Sequence, residues 1–159
     1  MSSPETPTVT ETDRAWMRHA LDLAHRAGEE GEVPVGAVLV QDGQLLGEGW
    51  NRVIRLNDAS AHAEILAMRE AGERLGNYRL SGSSLYVTLE PCAMCAGAML
   101  HARLEHVHFG AADPKTGALG GAFNLLDDYS HNHRIVVQGG LLEDECSTTL
   151  KEFFQTRRQ

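Results

Sequence analysis

The sequence predicts an α/β fold of three layers, in which helices cover a mixed five-stranded sheet. Three observations support this prediction. A hairpin signal lies in the first third of the chain, the segments after it alternate between strand-like and helix-like patterns, and 159 residues suit a single domain.

The strand predictions start from Asp42-Gly43, a dipeptide that favours the two-residue turn of a β-hairpin. The segments on either side of it have the apolar character of two antiparallel strands. Three later apolar segments are also short enough and bounded well enough to be strands. The five predicted strands are residues 35–41, 44–51, 84–90, 106–110 and 135–138.

The helix predictions depend on apolar side chains that recur at helical spacing. Thr12 is a candidate N-cap for the first helix, and Gly31 is its expected stop. Pro91 suits the start of the third helix, because its fixed φ matches a first helical turn. The predicted helices are residues 13–30, 61–73, 92–102 and a last one containing Leu142, Cys146, Leu150, Phe153 and Phe154.

The chain is expected to form a disordered N-terminal tail, residues 1–12, and one domain, residues 13–159. The tail is rich in Ser, Thr and Pro, and it lacks the basic start and apolar stretch of a secretory signal. No apolar run approaches the roughly 18 residues of a membrane span. Three cysteines are too few for a disulfide framework, so reduced thiols and a cytoplasmic protein are expected.

The charge of the chain is strongly acidic but uneven. The net charge is −8, and residues 1–50 hold 3 basic and 9 acidic side chains against 11 and 13 in residues 51–159. Arg52, Arg55 and Lys115 lie in predicted loops, and Arg157 and Arg158 lie at the end of the chain. These cations fit either a local basic rim that binds phosphates or an ordinary solvated surface.

Cys92 and Cys95 form a candidate metal-binding pair at the first turn of a predicted helix. Their i, i+3 spacing puts both sulfurs on one helix face, and the helix dipole favours the thiolate form. His62 lies at another predicted helix start and offers a third ligand. Three protein ligands leave a tetrahedral Zn²⁺ ion with one open position, as in catalytic sites.

Glu64 follows His62 by two residues, a spacing that does not share a helix face. It is therefore a poor fourth ligand and a better neighbour of the open zinc position, where a carboxylate can accept and return a proton. Two non-catalytic interpretations remain beside this one. The cysteine pair also fits a redox couple or a structural zinc site, whose fourth ligand would be Cys146 or another histidine.

Two short motifs resemble the signature of the cytidine and deoxycytidylate deaminase superfamily. His62-Ala63-Glu64 matches its H-x-E motif, and Pro91-Cys92-Ala93-Met94-Cys95 matches its P-C-x-x-C motif. Much of the remaining chain is similar to the bacterial tRNA adenosine deaminases of that superfamily. The other similar segments include residues 32–38, 49–51, 85–92, 113–118 and 132–134, with Phe153-Phe154 and Arg157-Arg158.

This resemblance implies a zinc-dependent homodimer that converts adenosine to inosine at the wobble position of a tRNA anticodon. Glu64 would move protons, and one Zn²⁺ per chain would be held by His62, Cys92 and Cys95. The remaining implied roles concern the RNA. Asn51 would contact the base, Asp113 and Lys115 would meet neighbouring nucleotides, Arg157 and Arg158 would reach phosphates, and Glu29, Glu30 and Glu32 would face away.

Two other functions are kept as alternatives. The first is deamination of a free base or nucleotide, such as guanine or cytosine, at the same metal site. The second is a zinc-stabilised RNA-binding module without catalysis. A zinc site with an open fourth position excludes the second alternative, and activity on a tRNA anticodon separates the first from RNA editing.

Overall fold

The fold is a mixed five-stranded sheet with helices on both faces, seen in a computed structural model that describes residues 8–127 and 133–157. The strands are β1 (Gly36–Gln41), β2 (Gln44–Trp50), β3 (Ser83–Leu89), β4 (His106–Ala111) and β5 (Val136–Gln138). The helices are α1 (Glu11–Glu29), α2 (Ala63–Leu75), α3 (Ala93–Ala102) and α4 (Glu143–Arg157), with a 3₁₀ turn at Leu125–Asp127. The predicted fold class is confirmed.

The strand order is β2-β1-β3-β4-β5. Asp42 and Gly43 both have positive φ, 50° and 74°, which is the conformation of a tight hairpin turn, so β2 returns antiparallel to β1. β3 also pairs antiparallel with β1, whereas β4 and β5 pair parallel to their neighbours. The parallel pair β3–β4 is connected by α3, as parallel strands require a crossover.

Two separate cores explain the three layers. Val38 and Leu39 are neighbours on β1, and because successive strand residues point to opposite faces they belong to different cores. Leu39 packs with residues of α2 and α3, including Met68 and Met99. Val38 packs with residues of α1 and α4. In the described part of the chain, no helix combines the length and the apolar character needed to cross a bilayer.

The first helix begins at Glu11, two residues before the predicted start. Thr10 is its N-cap, because the Thr10 hydroxyl accepts from the Asp13 N–H while the Asp13 carboxylate accepts from the Thr10 N–H. The predicted N-cap, Thr12, is therefore wrong, because the reciprocal hydrogen bonds with Asp13 make Thr10 the cap. Helices α2 and α3 begin at Ala63 and Ala93, so that His62 and Cys92 are cap residues with extended backbones.

Helix α2 packs directly on β2 because the strand has glycine where the helix crosses it. A Cβ at Gly49 would lie 2.3 Å from the Ala63 carbonyl oxygen and 2.8 Å from the Ala67 nitrogen. A side chain at this position therefore displaces the first turn of α2, the turn that follows His62 and contains Glu64.

We expect Gly49→Ala to lower the free energy of unfolding by about 1–3 kcal/mol, the usual cost of overpacking a filled core. Gly97→Ala is the matched control, since a Cβ at this glycine of α3 meets nothing within 4 Å. Chemical denaturation of both variants tests the contact. Equal stability of the two variants would contradict the close approach of α2 to β2.

Candidate active site

The sheet brings two helix starts to one edge. Because β2 and β3 both run antiparallel to β1, they point in the same direction, and their carboxyl ends lie at the same edge of the sheet. The chain enters α2 after β2 and α3 after β3, and the two helices contact each other. His62 and Cys92, the N-caps of these helices, consequently meet although 30 residues separate them in the chain.

His62, Cys92 and Cys95 form a compact triad with the dimensions of a zinc site. The Sγ atoms of Cys92 and Cys95 lie 3.7 and 3.6 Å from Nδ1 of His62. Tetrahedral zinc bonds of about 2.3 Å to sulfur and about 2.0 Å to nitrogen imply S···N separations of about 3.6 Å. Among the described residues no other group of His, Cys, Asp and Glu side chains satisfies the geometry of a candidate metal site.

The electrostatics of the triad favour an ionised sulfur at Cys92, the form that binds metal. The hydrogen bond with Cys95 and the one with His62 lower the pKa of Cys92 to about 3. The Cys92 hydrogen bond in turn raises the pKa of His62, and the same partner together with burial raises the pKa of Cys95. The two helix N-termini add positive potential at this point.

Glu64 lies in the first turn of α2 with a side chain that is almost fully buried. Burial disfavours its charged form and raises the pKa of Glu64 to about 7. A carboxyl group with a pKa near neutrality is suited to accept and donate protons at the operating pH of most enzymes.

A cavity of about 510 Å³ opens over His62, Cys92 and Glu64. Its size is suitable for a small molecule or one nucleotide base. Its walls come from the segment between α1 and β1, the start of α2, the loops after β2, β3 and β4, and the end of α4. The lining residues are Gly31, Glu32, Val33, Val35, Asn51, Val53, Ile54, His62, Glu64, Leu89, Glu90, Cys92, Asp113, Thr116, Phe153 and Arg157.

Asn51 lines this cavity and also caps α2. Its Oδ1 accepts from the Ala63 N–H at 2.9 Å, and its own N–H donates to the Val35 carbonyl. The cap fixes the orientation of the side-chain amide, because the oxygen is engaged with the helix. The NH₂ group is then the part of Asn51 that can donate to a ligand.

The other predicted RNA-contacting residues differ in position. Asp113 lines the cavity, but its carboxylate accepts from the N–H groups of Lys115 and Thr116 and from the Thr116 hydroxyl, within its own loop. Lys115 is exposed and does not line the cavity. Arg157 lines it, whereas Arg158 lies outside the described residues.

Two buried glutamates at the cavity were missed by the sequence analysis. Glu32 was expected to face away from the substrate, but it lines the cavity and accepts from the N–H groups of Ile54 and Arg55. Glu90 accepts from backbone N–H groups of the loop after β4. An acidic residue at the end of an apolar strand, as in Leu89-Glu90-Pro91, was the available signal.

Cys146 is excluded as a fourth ligand of the triad. Its side chain is 1% exposed and packs in the core between the sheet and helices α1 and α4, on the face opposite to His62. His133, which also matches the family pattern, contacts the Leu104 carbonyl oxygen through Nε2. Among the described residues, the triad therefore has no fourth protein ligand.

Comparison with known proteins agrees with this site. Residues 10–111 match the family model described as the cytidine and deoxycytidylate deaminase zinc-binding region. The chain belongs to this deaminase family. It is 54% identical to the tRNA-specific adenosine deaminase of Haemophilus influenzae, over 94% of this chain and 87% of the relative. It is 46% identical to that of Bacillus subtilis, over 92% and 91%.

Solved structures of deaminases are also similar to this chain. One from a study of A-to-I editing by tRNA:A34 deaminases at the wobble position is 46% identical, with a TM-score of 0.81, over 86% of this chain and 99% of that chain. The guanine deaminase of Nitrosomonas europaea is 26% identical with a TM-score of 0.75, over 92% and 87%. The predicted resemblance to the bacterial tRNA adenosine deaminases is confirmed.

We expect the purified chain to hold one zinc ion, and Cys95→Ala to lose most of it, because two ligands hold zinc much more weakly than three. Cys146→Ala is the matched control, since it removes an equally buried thiol from the opposite core. Elemental mass spectrometry measures the zinc content of the unmodified chain and of both variants. Full zinc in Cys95→Ala, or a comparable loss in Cys146→Ala, would contradict the ligand set.

Proposed function

We propose that this protein hydrolyses adenosine to inosine at the wobble position of a tRNA anticodon, with release of ammonia. The observation that carries the proposal is the candidate metal triad His62, Cys92 and Cys95 beneath a cavity that His62, Cys92 and Glu64 line. The identity to tRNA-specific adenosine deaminases over most of the chain supports the choice of substrate. A single-stranded anticodon loop suits such a cavity, because its bases can be splayed out of the stack.

In this proposal His62, Cys92 and Cys95 hold one Zn²⁺ ion. When bound, zinc lowers the pKa of a coordinated water and so provides a nucleophile at neutral pH. Glu64 would take up a proton from the water and deliver it to the adenine ring, and would then move the proton of the hydroxyl group added at C6 to the amino group, which leaves as ammonia. Asn51 orients the base through its NH₂ group, which its capping contact with α2 holds in place.

We expect Glu64→Gln to reduce inosine formation by at least about 10²-fold, the lower range for loss of a general acid–base. The variant keeps the size of the side chain but cannot exchange the proton, and it should retain one zinc per chain. Inosine in an anticodon stem-loop RNA is measured by mass spectrometry after nuclease digestion. Glu70→Gln, on the same helix, is the matched control, since Glu70 is 40% exposed and lines neither the cavity nor the groove along α2 and α3.

Activity that persists in Glu64→Gln would remove Glu64 from the reaction. Turnover of free guanine or cytosine by the unmodified chain, with none on the stem-loop, would overturn the proposed substrate and favour the free-base alternative. Zinc binding with no turnover of either substrate would favour the non-catalytic RNA-binding module.

A basic surface near the cavity supports an RNA substrate. The guanidinium groups of Arg26 and Arg52 lie 4.7 and 5.3 Å from the centroid of the Trp50 ring. Neither has a carboxylate partner among the described residues, and Nε of Arg52 is buried without a hydrogen-bond partner. Arg52 lies between the cavity residues Asn51 and Val53. Cations without a carboxylate partner beside a cavity-lining loop fit phosphates better than a neutral base.

We expect Arg26→Ala/Arg52→Ala to weaken stem-loop binding and to reduce the slope of log K against log salt by about 1–2, because each lost phosphate contact contributes about 0.7–0.9. Arg14→Ala on α1 is the matched control, since Arg14 pairs with Glu11. Fluorescence anisotropy at several salt concentrations measures the slope. An unchanged slope would assign these arginines to packing on Trp50.

The homodimer and the cytoplasmic location implied by the resemblance are part of the same proposal. A groove of about 720 Å³ along α2 and α3, lined in part by Ile65, Met68 and Ala98, supports the dimer. Tyr78 at its edge is 70% exposed. An exposed apolar groove with polar residues such as Arg69 and His101 at its rim is typical of a contact with another subunit.

A further inference from the structure

Glu90 is a buried carboxylate that the proposed reaction does not use. It follows β3 directly, its side chain is 3% exposed, and its backbone N–H donates to the Ala111 carbonyl at the end of β4. The metal-ligand candidate Cys92 is two residues further along the chain. A charge in such a buried place is costly unless hydrogen bonds compensate it, so its contacts indicate its role.

The carboxylate of Glu90 accepts three backbone hydrogen bonds from one loop. Oε1 accepts from the Asp113 N–H at 2.9 Å. Oε2 accepts from the N–H groups of Leu119 and Gly121, at 2.9 and 2.8 Å. A single side chain therefore ties together both ends of the loop formed by residues 113–121. Hydrogen bonds to a charged acceptor are stronger than those between neutral groups.

The loop is shaped around this carboxylate. A Cβ at Gly117 would lie 2.3 Å from Cδ of Glu90, and one at Gly121 would lie 2.4 Å from Oε1. Neither position has space for a side chain while Glu90 is in place. The glycines and the carboxylate are thus parts of one arrangement, which is further tied to the site by the Ala118 N–H donating to the Pro91 carbonyl.

This loop forms one wall of the cavity over the metal triad. Asp113 and Thr116 line the cavity, and their backbone positions are set by the bonds to Glu90 and by the turn around the Asp113 carboxylate. We propose that Glu90 is a positioning residue that fixes this wall and so sets the affinity for the RNA substrate. The inference rests on the proposed function, since it concerns the same cavity, and it assigns no proton transfer to Glu90.

Glu90→Gln tests the proposal, because an amide can accept at one end only and its NH₂ then faces a backbone N–H. With stem-loop RNA we expect KM to rise about tenfold or more, kcat to stay within about threefold, and zinc to remain at one per chain. Glu105→Gln makes the same change at a side chain that is 58% exposed, and it should match the unmodified chain. A KM within twofold of the unmodified value would overturn the proposal.

Gly121→Ala perturbs the same contact from the loop side and decides the question if Glu90→Gln does not fold. It should also raise KM with zinc retained, and the double variant should show less than the product of the two single effects. A double-variant KM equal to the product of the two single effects would contradict the proposal that Glu90 and Gly121 belong to one arrangement.

Hydrogen exchange of residues 113–121 separates this inference from the proposed function. Faster exchange is expected in both variants, whether or not the chain deaminates RNA. If the unmodified chain forms no inosine, the proposed function fails. If Glu90→Gln leaves the hydrogen exchange of residues 113–121 unchanged, the proposed role of Glu90 is wrong, even if the chain deaminates RNA.

Discussion

The direction of two strands determines where the chemistry can occur. Because β2 and β3 run the same way on either side of β1, the helices that follow them begin at one edge of the sheet. A helix N-terminus presents unpaired N–H groups and a positive potential, which stabilise thiolates and metal-bound ligands. The separation of the three candidate ligand atoms, 3.6–3.7 Å between nitrogen and sulfur, follows from that convergence.

Around this centre, buried polar groups shape the cavity by holding its loops. Glu32 fixes the loop after β2, Glu90 fixes the loop after β4, and Asn51 caps α2. None of these contacts depends on apolar packing, and each positions backbone rather than a reacting atom. Acidic residues that in the sequence suggest only a negatively charged surface thus have a structural role at the site, while Arg26 and Arg52 place positive charge at Trp50, the residue before the cavity residue Asn51.

The sequence predicted the layers and the five strands, because these depend on local periodicity. It also named the three side chains that the structure brings together as a candidate metal site, because their types and spacing are recognisable. It failed where a hydrogen bond that only the folded structure reveals decides the outcome. The partners of Glu90 lie at least 23 residues away, and no periodicity indicates them. The contact of Asp113 with nucleotides stays a prediction, and the structure adds that its carboxylate accepts hydrogen bonds from Thr116 in its own loop. The N-terminal start of α1 was misjudged by two residues, because Thr10 and Thr12 are equivalent candidates until the Asp13 contact is seen.

The coordination of the metal tests the central claim most directly. X-ray absorption spectroscopy of the zinc-loaded protein should show two sulfur neighbours at about 2.3 Å and two lighter neighbours at about 2.0 Å, one of them exchangeable with solvent or inhibitors. A site with four protein ligands, or one that lacks the imidazole nitrogen of His62, would contradict the convergence of the two helix starts on a catalytic ion.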